Sequence, residues 1–407
     1  MKDILIIAQY TQAPGEFEND RFKYLAELML EDTDLSIEVV TMDFSHHRKE
    51  YRHITTEEMD RWPYKMTFLH VTQYKKNVSI KRLFSNGVLA INLKKYFKHR
   101  KKPDVVFCAV PSINAAYVAS KYCKKNDIKF VIDIQDLWPE AFQMSINIRW
   151  ISKILFAPMK LMADQIYASA DVICAVSQTY IDRALEVNKK ATKTYCVFLG
   201  TDLDEFDKNA TARNNELGSE LKIAYCGTIG RSYDLKCVID ALHLTKGKTI
   251  LPISFLVMGD GPDLDKIKKY ALEKEVRTIF YGRIPYKEMC GILAACDMVV
   301  NPIIPGASQS IINKHADYAA SGLPVVNTQE CEEYRNLVQQ YQMGFNCNNN
   351  DAADLSKKIV LLSNNSAMRR KMGENARRCA EECFDRKRTY KQLKEAILDY
   401  DHIEEET

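Results

Sequence analysis

Short apolar runs rich in β-branched residues recur along this chain, with longer helical patterns between them. Ile4–Ala8, Ile37–Thr41, Val105–Val110, Phe130–Asp133, Val172–Val176 and Thr194–Phe198 form a first set, and helical stretches such as Asp20–Leu30 and Ala115–Lys125 are interposed. A strand that is apolar at nearly every position has no face to give to water. Its sheet must be covered on both sides, and crossover helices provide the cover. The pattern then starts again with Lys222–Cys226, Ile253–Met258, Thr278–Tyr281, Met298–Asn301 and Pro324–Asn327. The polar stretch Asp202–Glu220 between the two sets reads as a linker. At 407 residues the chain is too long for one ordinary core. The expected fold class is α/β: two tandem Rossmann-like domains, each a doubly wound parallel sheet, over residues 1–205 and 206–375. The charged helical stretch over 376–407 is expected to cross back to the first domain. Ligands in such sheets bind at the carboxyl ends of the strands, and two facing sheets create a cleft.

Several function classes drop out early. Most of the twelve cysteines sit in apolar runs, as Cys108, Cys174 and Cys226 do, and no Cys-x-x-Cys pair exists. They read as small core residues in a reducing compartment. No stretch reaches the roughly 18 uninterrupted apolar residues of a spanning helix. The first strand runs into Gln9–Gly15 rather than Gly-x-Gly-x-x-Gly, which disfavours a nicotinamide enzyme. The formal net charge of +3 selects no partner class.

The segment Ser308–Asn327 concentrates the candidate chemistry. A turn leads into a short helical pattern bearing Lys314 and Asp317, Gly322 and Pro324 end it, and a strand follows. Free N–H groups at a helix N-terminus favour an anion, and a Lys beside them suits a phosphate. An acid three residues on can accept bonds from ribose hydroxyls. The same spacing also describes an ordinary helix with a glycine C-cap and surface charges, so spacing alone leaves both readings open.

The segment resembles the donor-binding signature of glycosyltransferase family 4, in which a Lys, an acid, an aromatic, Ala, Gly and Pro precede a strand. Lys314, Asp317, Tyr318, Ala320, Gly322 and Pro324 match that run. Ala224–Gly230, Val257–Pro262, Tyr281–Pro285 and Ala295–Val300 agree with the family in order along the chain. Asp133–Glu140 and Ala170–Ser177 are similar to members that build bacterial capsule and O-antigen polysaccharides. The resemblance implies a GT-B fold and retaining, metal-independent sugar transfer from a nucleotide-sugar donor, commonly UDP-linked in the resembling enzymes. The implied acceptor is a glycan or a polyprenyl-diphosphate-linked sugar. Gly15, Gly227, Gly230, Gly259, Gln309, Asn313 and Asp317 are the implied donor-binding residues. Lys314 and Arg231 are the implied catalytic cations, stabilising the departing diphosphate so that neither metal nor other cofactor is needed.

The chain departs from the family at instructive places. Gln309 stands where an acid is frequent, and Thr228 and Tyr233 stand where the glycine loop carries Arg and Lys. Pro14-Gly15-Glu16 replaces an N-terminal Gly-Gly loop. These changes favour a second reading, a nucleotide-binding regulator or a partner subunit that keeps the fold with weakened or lost catalysis. A sugar-nucleotide 2-epimerase shares the two-domain fold, but no histidine cluster accompanies it here. In the first domain, Asp136, Trp138 and Glu140 are expected to face the acceptor, with Asp136 positioning its hydroxyl or accepting its proton. The alternative is that Asp136 caps the next turn and Glu140 is solvated.

Lys75–Lys102 carries ten Lys or Arg and no acid, and Ile80, Leu83, Phe84, Val88 and Ile91 recur within it at helical spacing. The stretch is either a crossover helix with a solvated cationic face or a surface that docks on an anionic bilayer. Ile146–Met162, with Trp150, Leu155, Phe156 and Met159, adds a broken apolar stretch. The expected location is cytoplasmic, peripheral on the inner face of the membrane. No aromatic stacking pattern or recognition module accompanies the cations, so no nucleic-acid partner is expected.

Overall fold

A computed structural model of the protein describes residues 1–16, 20–76, 79–110, 113–140, 149–211, 220–306 and 310–398, with only the backbone described over 149–155. The chain divides into two compact units: Met1–Val197 joined by the chain from Tyr390 onward, and Phe198–Thr389.

The first unit contains β1 (Lys2–Ile7), β2 (Leu35–Met42), β3 (Phe44–Ser45), β4 (Glu50–Tyr51), β5 (Lys65–Leu69), β6 (Val105–Val110), β7 (Lys129–Ile134), β8 (Val172–Ala175) and β9 (Lys193–Cys196). Apart from the small β3–β4 hairpin, these form one sheet in the order β5-β2-β1-β6-β7-β8-β9, with every neighbouring pair parallel. The second unit contains β10 (Leu221–Cys226), β11 (Ile253–Met258), β12 (Thr278–Gly282), β13 (Met298–Asn301), β14 (Val325–Asn327) and β15 (Gly344–Asn346). Its order is β12-β11-β10-β13-β14-β15, again all parallel. In both sheets the chain starts mid-sheet, winds one way, then reverses. The reversal opens a crevice at the carboxyl ends of β1 and β6, and of β10 and β13. Every residue of β6 is buried, as a strand covered on both faces requires.

The expected linker is in part a helix. Leu203–Ala210 buries Leu203 and Phe206, three residues apart on one face, in the core of the second unit, and the Asp202 side chain caps it by accepting from Glu205 N–H. The units therefore divide before this helix, between Val197 and Phe198, rather than near residue 205. At the other end, the helix Ser366–Cys379 runs into a π-helical turn over Ala380–Phe384, and the chain rejoins the first unit at Tyr390. The helix Lys391–Leu398 buries Leu393, Ala396 and Ile397 there. Lys129 Nζ donates to Ala396 O at 2.8 Å and Lys2 Nζ to Leu398 O at 3.2 Å, so two cations satisfy carbonyls at the helix's C-terminal end.

The basic run forms the helix Ile80–His99, capped by Ser79. Its buried side is Ser85, Asn86, Leu89, Leu93 and Phe97. Of the apolar residues expected to form one face, four point to solvent: Ile80 is 85% exposed, Phe84 64% and Ile91 58%, with Leu83 also exposed, while Val88 is half-buried.

Candidate donor and acceptor sites

In the second unit, β10 ends in the loop Gly227–Tyr233 at the reversal point of the sheet. Asp234 N donates to Pro302 O at 3.0 Å and Ile304 N to Ser232 O at 3.2 Å, stitching this loop to the chain leaving β13. Gly227 has φ +138°, a region open to glycine. Gly259, in the turn after β11, has φ +148°, and a Cβ there would lie 1.9 Å from Gly227 O. Gly259 thus serves as the contact that lets two backbone turns stack, which places Gly227 and Gly230. Arg231 and Lys236 line a pocket of about 230 Å³ beside the loop.

Lys314 enters this region from the helix Asn313–Ala320. The helix start is held by His315, whose Nδ1 accepts from Ile312 N–H at 2.9 Å while Nε2 lies 2.8 Å from Gln329 Oε1. Burial keeps that imidazole neutral, pushing its pKa down to about 3. Lys314 itself is buried, and its Nζ has no hydrogen-bond partner among the described residues. Its ammonium sits 4.0 Å from the Tyr233 ring centroid and 4.9 Å from that of Tyr225. Desolvation lowers its pKa to about 7. Tyr233, which replaces a family cation, therefore has a use: its ring faces the lysine and also lines the Arg231 pocket.

Asn313 is the exposed first residue of this helix, and Gln309 lies outside the described residues. Asp317 is buried, and Tyr286 Oη donates to its Oδ1 at 2.8 Å, with Thr201 Oγ1 2.8 Å from the same tyrosine oxygen. Burial raises its carboxyl to about 6 against those bonds and the charge of Arg386. One oxygen of the expected ribose acceptor is thus committed to Tyr286, a contact that sequence spacing does not reveal.

In the first unit, Gly15 has φ +87° in a loop braced by Glu16, whose carboxylate pairs with Arg52 at 2.9 Å. It lines a pocket of about 280 Å³ with Arg48 and His53. After β7, Trp138 is buried and Asp136 exposed. The protein crowding the Asp136 carboxyl nevertheless desolvates it enough to raise it to about 6, opposed by Arg82. Arg82 is the residue the sequence left inside a charge run. Its guanidinium lies 5.4 Å from the Trp138 ring and 5.1 Å from the Tyr10 ring, and its Nε donates to Tyr10 Oη at 3.1 Å. Glu140 is not simply solvated: Arg183 Nε donates to its Oε1 at 2.8 Å, and Arg183 Nη2 reaches Asp164 at 2.5 Å. Asp133 is held by Arg21 in a buried bidentate pair at 2.8 and 2.9 Å.

Known proteins share features with this chain, most strongly in the second unit. Residues 206–379 match the family model of Glycosyl transferases group 1. That match lies wholly within the second unit. The probable glycosyltransferase WbjE of Pseudomonas aeruginosa is 24% identical over 241 residues, 57% of this chain and 59% of WbjE. The chain therefore spans about three-fifths of that relative's length. HepE of Anabaena, solved in complex with UDP, superposes with a TM-score of 0.69 at 15% identity, over 97% of this chain and 99% of HepE. WaaG, a glycosyltransferase involved in lipopolysaccharide biosynthesis, superposes with a TM-score of 0.65 at 13% identity, over 98% and 100%. The fold is GT-B, and the Lys314 helix and the glycine loop both lie within the residues that match the group 1 model.

Proposed function

We propose that the protein transfers a sugar, with retention and without a metal, from a UDP-sugar to a glycan or lipid-linked sugar acceptor in cell-surface polysaccharide synthesis. The observation that carries this reading is Lys314: a buried ammonium with no hydrogen-bond partner among the described residues, beside a glycine loop at the sheet's reversal point. A buried amine without a counter-ion is costly, and a bound anion removes the cost. In the reaction the bond from the anomeric carbon to the diphosphate oxygen breaks, and the diphosphate leaves with the negative charge. Lys314, Arg231 and loop N–H groups stabilise that charge as it develops, which is where electrostatic preorganisation acts. The acceptor oxygen attacks the same carbon and gives up its proton, for which Asp136, held near 6, is suited as acceptor. UDP is favoured because HepE was solved with it. The polysaccharide role is supported by the resemblance of Asp133–Glu140 and Ala170–Ser177 and by the likeness to WaaG.

The exposed apolar stripe on Ile80–His99, continuous with its lysines, supports docking on an anionic bilayer. Among the described residues no helix is long and apolar enough to cross a membrane. Within Ile146–Met162, residues 146–148 and the side chains of 149–155 lie outside the description, while Phe156 is half-buried.

Thermal-shift measurement with UDP, GDP, ADP and their sugars tests the donor. UDP and a UDP-sugar should stabilise the protein by about 2.7 kcal/mol at 100 times their dissociation constants. Stabilisation by GDP or ADP alone contradicts the UDP assignment, and none by any nucleotide contradicts the site.

A further inference from the structure

A lysine-lined groove between the helices Ile80–His99 and Ile113–Asn126 takes no part in the donor or acceptor chemistry. It encloses about 480 Å³, with Lys94, Lys98, Lys121 and Lys125 around a floor that includes Phe97 and Tyr122. Those two rings stack on each other at 3.9 Å with 8° between their planes. No acidic side chain lines the groove, and all four lysines are exposed. Four ammonium groups surround one cavity, and no described carboxylate lines it. An anion there, such as a phosphate, would meet cations on both helices.

The same helix says what else the occupant carries. At 100° per residue, Ile80, Leu83, Phe84, Ile91, Lys94 and Lys98 fall on one stripe. Those six residues are exposed, apolar over the first half of the helix and cationic over its last turns. A soluble anion would use the groove and leave the apolar half in water. A nucleic acid would want aromatic faces for its bases, and Phe97 and Tyr122 spend theirs on each other. An amphiphile with an anionic head and an apolar body satisfies both halves.

We propose that this groove is a binding site for the phosphate headgroup of an anionic phospholipid, with the Ile80–Ile91 stripe in the acyl boundary beside it. The proposal rests on the membrane-docking reading above and adds Lys121 and Lys125, which lie outside the basic run. It also makes docking depend on a defined cavity rather than on charge alone.

The test is flotation of the full chain with phosphatidylcholine vesicles, with and without phosphatidylglycerol. Wild type should float only with phosphatidylglycerol present. Lys121→Gln/Lys125→Gln should weaken that binding about 30-fold, from about 5-fold per lysine near an anionic surface. Lys121→Arg/Lys125→Arg should retain it, and an unchanged melting temperature shows that both variants fold. Lys101→Gln/Lys102→Gln removes the same charge outside the groove and should cost clearly less. If both glutamine pairs weaken binding equally, docking stands and the groove proposal fails. If the protein floats with neither vesicle, or equally with both, the docking reading and the groove fail together. Displacement by millimolar inorganic phosphate, or preferential binding of a duplex oligonucleotide, also overturns the lipid assignment.

Discussion

Lys314 makes donor binding a proton-linked event. In the free protein its pKa is about 7, because burial disfavours the charged form, opposed only in part by the nearby Cys226. At pH 8 it is therefore only about one-tenth protonated. A diphosphate against Nζ restores the charged form, so binding UDP at pH 8 should take up about 0.9 proton. Asp317 and Asp136, both near 6, have finished titrating by then and contribute little. Isothermal calorimetry in buffers of different ionisation enthalpy reads this number as the slope of observed enthalpy against buffer enthalpy. Affinity should also fall about tenfold from pH 8 to pH 9, since each binding event must first find a proton. The unliganded protein carries the mirror effect. The folded pKa lies below that of the unfolded chain, so stability rises as pH climbs from about 7 towards 10.5. The full difference of about 3.5 units corresponds to about 5 kcal/mol. Lys314→Met should remove both the proton uptake and this slope in stability. A zero buffer slope for wild type, or an undiminished slope in the variant, refutes the reasoning.

Three further outcomes follow from the geometry. Asp317→Asn should separate from wild type in a pH titration of stability. The folded acid holds its proton up to about 6, so wild type loses up to about 3 kcal/mol relative to the variant as pH rises from about 4 to above 6; parallel curves would mean the carboxyl is not the strained group. Gly259→Ala places a methyl 1.9 Å from Gly227 O at φ +148°, and should lower stability by at least about 2 kcal/mol and weaken UDP binding with it, as melting and calorimetry will read. Activity should persist in excess EDTA, and restoration by magnesium after its loss would show that a metal carries the diphosphate charge.

The parallel sheets were legible because buried strands announce themselves as continuous apolar runs: Val105–Val110, Ile253–Met258 and Met298–Asn301 have the expected bounds. β5 and β15 were not, because edge strands need less apolar surface; Lys65–Leu69 alternates with polar residues and Gly344–Asn346 is three residues long. Leu203–Ala210 passed for a linker because its two core residues are outnumbered by charges. The site was half legible. Lys314 stands out by its place before Asp317, Gly322 and Pro324, but its tyrosine cage joins residues from β10 and the loop beyond it, a contact that only the fold creates. Arg82 was hidden for the opposite reason: nine other cations surround it in sequence, yet it turns inward onto Tyr10 and Trp138. The apolar spacing in Ile80–Ile91 was read correctly as one face, and its exposure became visible only once Leu89, Leu93 and Phe97 were found to fill the packing side.

The central claim is that a buried lysine in the second unit drives departure of a nucleoside diphosphate. Release of UDP from a panel of UDP-sugars, with saturating donor, measures it directly in wild type and Lys314→Met. The account predicts turnover by wild type with at least one UDP-sugar and a loss of about 100-fold or more in the variant, with the folded fraction unchanged. Equal turnover by the two proteins, or none by wild type with any UDP-sugar it binds, would contradict it.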